Sequence, residues 1–255
     1  MKTISIKGTE IGNGDPKTII SVMGKDVEEC LEIIADGRKA GVEMFEWRGD
    51  FNDSRHDSAE MVRQGKIISN ELKDIPMLFT FRSVSQGGND TFDPDEYVAL
   101  NKALIEANIL DIVDIETWIG DKRVQYLADL AHEHHVYALI SYHNFAGTPS
   151  VEWMVNLMTH MLDLGADIPK VATMANDAND ALKLLAATEE VHRLHTEGPL
   201  LTMAMGREGS ITRLAGAYFG SSITFCALHD SSAPGQVHVS RARCIMDEFN
   251  QILGK

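Results

Sequence analysis

A regular alternation of short apolar segments with longer amphipathic ones most constrains this chain. Eight runs rich in Ile, Val, Leu and Phe each precede a longer run whose apolar residues recur at helical spacing. The predicted strands lie within Thr18–Met23, Val42–Trp47, Pro76–Phe81, Asp111–Glu116, Val136–Ser141, Gly165–Met174, Pro199–Met205 and Ser222–Leu228. The predicted helices cover 25–40, 55–74, 93–108, 121–134, 148–165, 177–196, 210–219 and 239–253. Strands that alternate with helical crossovers pair in parallel.

Eight such units in 255 residues predict an α/β fold, a (β/α)₈ TIM barrel, with residues 1–255 as a single domain. Residues 1–7 alternate like a strand, so we expect a short N-terminal strand or hairpin that closes the bottom of the barrel. A doubly wound open sheet is the alternative fold. That fold carries a glycine-rich phosphate loop after its first strand, whereas Met23–Asp26 contains one glycine. The barrel is therefore favoured.

The net charge of −15 argues against nucleic acid and anionic membranes as partners, because both require a basic face. No apolar run reaches membrane-spanning length, and the N-terminus lacks the apolar core of a signal peptide. The three cysteines show neither disulfide nor metal spacing. The histidine-rich run at 132–135 lacks the HExxH pattern and precedes a strand, which favours a solvated helix end over a metal site. We expect a cytoplasmic protein with no metal.

Polar side chains gather at the predicted carboxyl ends of the strands, where barrels carry their chemistry. Lys170 is the most informative, because burial in an apolar strand lowers the pKa of an amine and a neutral amine can attack a carbonyl carbon. Alternatively, Lys170 follows Pro169 at the strand mouth and extends to water. The other candidates at these ends are Ser21, Glu46, Arg48, Arg82, Glu116, His143, Thr173, Met203, Met205 and Phe225.

Several of these candidates have a structural interpretation beside the functional one. Glu46 and Arg48 share one strand face and could form an ion pair. His143 could be a general base or a hydrogen-bonded loop residue. Arg82 and Arg213 offer planar, bidentate contacts to a carboxylate. The two methionines could simply pack a wall.

A set of spaced motifs identifies a family. They are Glu46-x-Arg48, Phe81-Arg82-Ser83, Ser141-x-His143, Asp167-Ile-Pro-Lys170, Ser210-x-x-Arg213-Leu-Ala-Gly216 and Ser232-Ala-Pro-Gly-Gln236. In order and spacing, over essentially the whole chain, this pattern resembles type I 3-dehydroquinate dehydratase. The resemblance implies a homodimeric (β/α)₈ barrel, a lyase that converts 3-dehydroquinate to 3-dehydroshikimate without metal or organic cofactor. It also implies a place in the shikimate pathway of aromatic amino acid biosynthesis, or in quinate breakdown.

The resemblance also implies roles for individual residues. Lys170 would form an imine with the substrate ketone, and His143 would act as general base and then general acid. Carboxylate binding falls to Arg213, Ser232 and Gln236. Binding of the ring hydroxyls falls to Glu46, Arg48 and Arg82, with Ser21 nearby. The apolar wall would consist of Met203, Met205 and Phe225.

One position departs from the family pattern. Where the family has Ser-x-x-Glu-Gly-Gly after the arginine, this chain has Gln86 in Ser83-Val-Ser-Gln86-Gly-Gly88. In the family this carboxylate pairs with the catalytic histidine, so we expect slower turnover here, unless Asp114 or Glu116 supplies the charge. Two other functions remain open: a class I aldolase that shares the imine chemistry, and a weakly active barrel that binds a cyclic polyol acid.

Overall fold

The computed structural model describes residues 2–253, and these residues alternate strand and helix as the sequence predicts. The strands are β1 (Ile4–Ile6), β2 (Thr9–Ile11), β3 (Lys17–Val22), β4 (Met44–Arg48), β5 (Met77–Thr80), β6 (Ile112–Glu116), β7 (Tyr137–Asn144), β8 (Ile168–Met174), β9 (Leu201–Met205) and β10 (Ile223–Cys226). The helices are α1 (Val27–Lys39), α2 (Ser58–Glu71), α3 (Pro94–Glu106), α4 (Asp121–Glu133), α5 (Val151–Asp163), α6 (Ala178–Leu194), α7 (Ser210–Ala215) and α8 (Val239–Leu253). No helix within residues 2–253 has the length and apolar character needed to cross a membrane.

Strands β3 to β10 form one sheet in the order β10-β3-β4-β5-β6-β7-β8-β9, and every neighbouring pair is parallel. The two ends of the sheet meet where the Ser222 N–H donates to the Leu200 carbonyl at 2.8 Å and where Leu200 bridges Ser221. The sheet is thereby nearly closed on itself. The predicted (β/α)₈ barrel is confirmed.

The N-terminal hairpin closes the amino-terminal end of the barrel. Strands β1 and β2 pair antiparallel around Lys7 and Gly8, whose φ angles of 50° and 83° suit the two-residue turn of a hairpin. Ile4, Ile6 and Ile11 are buried against the first inward-facing residues of the barrel strands. The predicted N-terminal hairpin that closes the bottom of the barrel is confirmed.

Two layers of side chains fill the barrel interior, because residues two apart on a strand point to the same face. The first layer is wholly apolar and consists of Ile19, Met44, Leu78, Ile112, Leu139, Ile168, Leu201 and Ile223. The second layer lies two residues further along each strand and consists of Ser21, Glu46, Thr80, Asp114, Ser141, Lys170, Met203 and Phe225. The change from hydrocarbon to polar and charged groups takes place within one step along the strands.

Two elements differ from the sequence-based boundaries. Strand β7 was predicted to end at Ser141 but continues to Asn144, because Tyr142 and His143 keep pairing with Val171 and Ala172 of β8. His143 therefore stands on a strand and not in a loop. The predicted helix 210–219 is α-helical only to Ala215 and then tightens into a 3₁₀ turn.

Side-chain caps fix where the helices begin. Asp93 accepts hydrogen bonds from the backbone of Asp95 and Glu96, and the Glu96 carboxylate accepts the Asp93 N–H in return, with Pro94 in the first turn. Ser150 and Asp177 cap α5 and α6 in a similar way. These caps set the loops that follow β5, β7 and β8, which surround the open end of the barrel.

Candidate active site

A cavity opens at the carboxyl ends of the barrel strands, above the second layer. Of the thirteen residues to which the family resemblance gives a place in the site, twelve line it, namely Glu46, Arg48, Arg82, Gln86, His143, Lys170, Met203, Met205, Arg213, Phe225, Ser232 and Gln236. The further strand-end candidates Glu116 and Thr173 are not part of this lining. Gly87, Phe145, Ala172 and Ala233 complete the wall. Ser21 is absent from this lining and touches the cavity wall through its hydrogen bonds to Glu46 and Ser232.

Lys170 is buried, with 3% of its surface exposed, so its side chain does not extend to bulk water. Its Nζ lies 2.9 Å from Oδ2 of Asp114, 4.0 Å from Oε1 of Glu46 and 4.9 Å from the ring centre of Phe225. Burial lowers the pKa of the amine and the Arg82 guanidinium lowers it further, while the two carboxylates act in the opposite direction. The balance leaves the pKa below its ordinary value, which favours a nucleophilic amine.

A network of buried charges lies beside Lys170, and two of its carboxylates belong to β6. Arg82 donates to Asp114, to Glu116 at 2.5 Å and to Ser141 at 3.0 Å. Ser141 in turn donates to Asp114 Oδ1 at 2.5 Å. From the sequence, Glu116 was a strand-end candidate and both carboxylates were possible partners of His143, but the contact between Asp114 and Lys170 was not predicted. The sequence feature that could have indicated them is a pair of carboxylates two residues apart in a predicted strand. A strand that is covered on both faces usually has an unbroken apolar run.

Gln86 selects the tautomer of the neutral His143 ring. Its Oε1 accepts the backbone N–H of His143 at 2.8 Å and lies 3.0 Å from Nδ1. A backbone N–H can only donate, so the amide must present its oxygen, and Nδ1 must carry the ring proton. Nε2 is then left with its lone pair, as a general base requires.

The His143 ring is held neutral. Burial lowers its pKa well below the ordinary value, and the positive charges of Arg82, Lys170 and Arg48 lower it further. Within residues 2–253 no carboxylate forms a hydrogen bond or an ion pair with His143, and Gln86 is its side-chain partner. Asp114 and Glu116 are instead engaged with Arg82, Lys170 and other donors.

Two glycines make the Gln86 turn possible. Gly87 has a φ of 81°, and a Cβ on it would lie 2.2 Å from the ring of Phe145. A Cβ on Gly88 would lie 1.8 Å from the backbone oxygen of Arg82. The close approach of this turn to Arg82 and Phe145 therefore needs residues without side chains.

Arg213 is a buried cation that lacks a counter-ion. It is 4% exposed, donates to the Pro234 carbonyl at 3.3 Å and contacts Met203 Sδ at 3.5 Å. Its Nε has no hydrogen-bond partner, and among residues 2–253 no carboxylate lies within ion-pair distance. Burial lowers its pKa to about 10. An unpaired, buried guanidinium that lines a cavity is suited to bind an anion.

Glu46 and Arg48 have different partners and do not form the ion pair considered from the sequence. Arg48 makes a bidentate contact with Asp50, at 2.8 and 2.7 Å. Glu46 accepts hydrogen bonds from Thr80 at 2.8 Å and from Ser21 at 2.5 Å. Both side chains are therefore held rigidly at the cavity wall.

The loop after β10 covers one side of the cavity. Gln236 donates to Ser232 Oγ at 2.8 Å and accepts from the Ser232 N–H at 3.0 Å. Ser232 Oγ also lies 2.9 Å from Ser21 Oγ, and the Gly206 N–H donates to Pro234 at 3.2 Å. These contacts place the polar ends of Ser232 and Gln236 in the cavity.

Comparison with solved structures reveals the same architecture in two 3-dehydroquinate dehydratases. A type I 3-dehydroquinate dehydratase from Clostridium difficile, solved with covalent modified comenic acid, matches with a TM-score of 0.94 and 34% identity, covering 98% of each chain. The 3-dehydroquinate dehydratase of Geobacillus kaustophilus also gives a TM-score of 0.94 at 34% identity, covering 100% of this chain and 98% of that one.

Comparison of sequences agrees with this likeness. The 3-dehydroquinate dehydratases of Escherichia coli and Salmonella agona are 38% and 37% identical over 251 residues, which is 98% of this chain and 100% of theirs. The family model described as type I 3-dehydroquinase matches residues 18–252. A match of this extent, to sequences and structures alike, shows that the chain belongs to the type I 3-dehydroquinase family.

Proposed function

We propose that this protein removes water from 3-dehydroquinate to give 3-dehydroshikimate. The observation that carries the proposal is the convergence of three groups on one cavity: the buried amine of Lys170, the neutral imidazole of His143 and the unpaired guanidinium of Arg213. A nucleophile, a base and an anion receptor are what this dehydration of a keto acid requires. The activity named for the relatives supports the same conclusion.

The first chemical step is imine formation at Lys170. The Nζ lone pair attacks the C3 ketone carbon, and the ketone oxygen leaves as water after taking up protons. The product is a protonated imine, which withdraws electrons from the neighbouring carbon. The lowered pKa of Lys170 keeps a larger fraction of the amine neutral for the attack.

The second step is elimination with His143 as base and then acid. Nε2 removes the proton from C2, and the C–H electron pair moves toward the imine to form an enamine. The enamine then expels the C1 hydroxyl, which takes the proton from His143 and leaves as water. Hydrolysis of the remaining imine releases the product and restores the Lys170 amine.

The remaining cavity residues orient the ring. Arg213 pairs with the substrate carboxylate, assisted by Ser232 and Gln236. The ring hydroxyls bind to Glu46, Arg48 and Arg82. Ser21 orients Glu46 by donating a hydrogen bond to its carboxylate. An apolar wall of Met203, Met205 and Phe225 excludes water from the reacting carbons.

Gln86 slows this cycle. The amide oxygen selects the correct His143 tautomer as a carboxylate would, but it brings no negative charge to an imidazolium. Each proton transfer passes through the charged ring, so each is less favourable than with a carboxylate partner. The family resemblance further supports a homodimer that acts in the cytoplasm without metal or cofactor, on a biosynthetic or catabolic route.

The test is a direct assay of dehydration. Addition of 3-dehydroquinate to the purified protein should produce the ultraviolet absorbance of a conjugated enone, and EDTA should not reduce the rate. His143→Ala is the matched control and should lower the rate by about 10²–10⁴-fold. An aldolase would give carbon–carbon cleavage fragments, and a binding protein would give neither product. Either of those results would overturn the proposal.

A further inference from the structure

We propose that Asp114 is the counter-ion of the protonated imine, and hence a catalytic residue in its own right. This inference rests on the proposed imine at Lys170. It assigns a role in the reaction to a carboxylate that the motif pattern of the sequence did not single out. The evidence is the position of Asp114, the way it is held and the change of charge at Nζ during the reaction.

Asp114 is held rigidly against the reacting atom. Its carboxylate is fully buried, and Oδ2 lies 2.9 Å from Lys170 Nζ. Ser141 donates to its other oxygen at 2.5 Å, and Arg82 donates to Oδ2. The hydroxyl of Tyr97 also donates to the Asp114 backbone carbonyl at 3.0 Å, which braces the strand at this residue. A carboxylate fixed in this way cannot move away when the charge of the nitrogen changes.

The reaction needs Nζ to be neutral for the attack and positively charged once the imine has formed. The neutral amine and the ketone combine, take up one proton and release water, so a positive charge appears on Nζ. A nearby carboxylate disfavours the neutral amine needed for attack but favours the imine cation that follows. Arg82 reconciles the two demands, because it shares Oδ2 and partly neutralises Asp114 before the imine forms.

Other charged groups around Nζ are less suited to this role. Glu46, on β4, lies 4.0 Å away, and both its oxygens already accept hydrogen bonds from Ser21 and Thr80. Arg82, after β5, would repel the new charge, and the neutral His143, on β7, brings no negative charge to balance it. Phe225, on β10, offers only the face of its ring. Asp114 is thus the carboxylate in direct contact with Nζ.

Asp114 also remains ionised in its buried position. Burial raises its pKa, but Arg82 and Lys170 more than reverse this change, and the hydrogen bond from Ser141 lowers the pKa further. The carboxylate therefore carries its charge throughout the cycle, as a counter-ion must.

The experiment measures two quantities on Asp114→Asn, and both should fall. One is the pH midpoint for borohydride trapping of 3-dehydroquinate on Lys170, followed by mass spectrometry. Without the carboxylate the amine loses its proton more readily, so the midpoint should fall by about one pH unit or more. The other is turnover, which should fall about ten- to a hundred-fold, because the imine cation loses a charged hydrogen bond.

Tyr97→Phe is the matched structural control. It removes the brace on the Asp114 backbone without changing any charge at Nζ, so it should lower stability and leave the trapping midpoint in place. Asp114→Glu keeps a carboxylate but displaces it, and should lower turnover while retaining the wild-type midpoint. This second variant keeps the inference open to test if Asp114→Asn does not fold.

Each outcome separates the inference from the proposed function. An adduct in the wild type, with an unchanged midpoint in Asp114→Asn, overturns the counter-ion role and leaves the imine mechanism intact. A lowered midpoint in Asp114→Glu also overturns it, because the charge would not be the cause. If the wild type shows no adduct at any pH, the imine itself is refuted.

Discussion

The two layers of the barrel interior differ in chemistry although the same strands supply them. The first layer is hydrocarbon on all eight strands, and the second layer, two residues further, contains Lys170, Asp114 and Glu46. Both layers are buried, apart from the partly exposed Ser21. Burial of hydrocarbon stabilises a fold, whereas burial of ions is costly unless they are well paired.

The difference shows which part of the barrel stabilises the fold and which part serves the reaction. The first layer, sealed by the N-terminal hairpin, supplies the favourable apolar burial. The second layer holds a lysine with a lowered pKa, and the cavity above it a neutral histidine and an unpaired arginine, none of which improves stability. Substitutions in the two layers should therefore separate stability from activity.

The largest effect on activity is expected for Lys170→Met. The variant cannot form an imine, so kcat should fall by more than about 10⁴-fold, as for loss of the nucleophile in other covalent mechanisms. The free energy of unfolding should be unchanged or higher, because Asp114 keeps Arg82 and Ser141 as partners. Urea unfolding and the enone assay measure the two effects. A variant that is strongly destabilised would contradict the proposed division between layers.

The opposite pattern is expected for Leu201→Ala in the first layer. Leu201 is fully buried and lies two residues before Met203. Loss of its side chain should lower the free energy of unfolding by about 2–5 kcal/mol. Turnover by the folded fraction should be retained. A large loss of kcat at unchanged stability would mean that the first layer also takes part in catalysis.

Arg213→Met tests the unpaired cation. If Arg213 holds the substrate carboxylate, KM should rise about ten- to a hundred-fold, the value of one lost charged hydrogen bond, with a smaller change in kcat. Stability should increase, because a buried charge without a counter-ion is removed. Arg48→Met is the contrasting variant. It leaves the buried carboxylate of Asp50 without its counter-ion and should destabilise the fold.

Gln86→Glu tests the departure from the family pattern. A carboxylate would stabilise the His143 imidazolium, so kcat should rise about ten- to a hundred-fold with little change in KM. The pKa of His143 should also rise, and since the base must be neutral, the ascending limb of kcat/KM should move to higher pH. Gln86→Leu, which cannot hold the Nδ1 proton, should lower kcat. A kcat for Gln86→Glu within about twofold of the wild type would refute this account of Gln86.

The smallest effect concerns residues 229–237, the loop after β10. This segment is small, polar and carries Ser232 and Gln236 to the cavity. We expect it to open without substrate and to close over bound ligand. Limited proteolysis should cut within it, and an analogue of 3-dehydroquinate should suppress the cut. An identical cleavage pattern with and without the analogue would rule out such closure.

Much of the fold was predictable because strand and helix patterns alternate without interruption. The predicted strand ends and the family pattern together indicated twelve residues that line one cavity. The extension of β7 to Asn144 was not predictable, because partly exposed Tyr142 and His143 break the apolar run while their backbones still pair with β8. Local composition cannot report a hydrogen bond to a distant strand.

The sequence also did not predict which residues pair with the charged side chains. Arg48 pairs with Asp50, only two residues along the chain, and not with Glu46 on its own strand. Arg82 pairs with Asp114 and Glu116, a choice that depends on which residues of neighbouring strands lie side by side. Lys170 meets Asp114 across the intervening strand β7, a contact between residues 56 positions apart. Such contacts follow from barrel closure and not from spacing along the chain.

The central claim is that Lys170 in the second layer forms a covalent imine with the substrate. The most direct measurement is the mass of the protein after borohydride treatment in the presence of 3-dehydroquinate. The imine mechanism predicts an adduct located on the peptide that contains Lys170, present in the wild type and absent from Lys170→Met. An unchanged mass during measurable enone formation would contradict it.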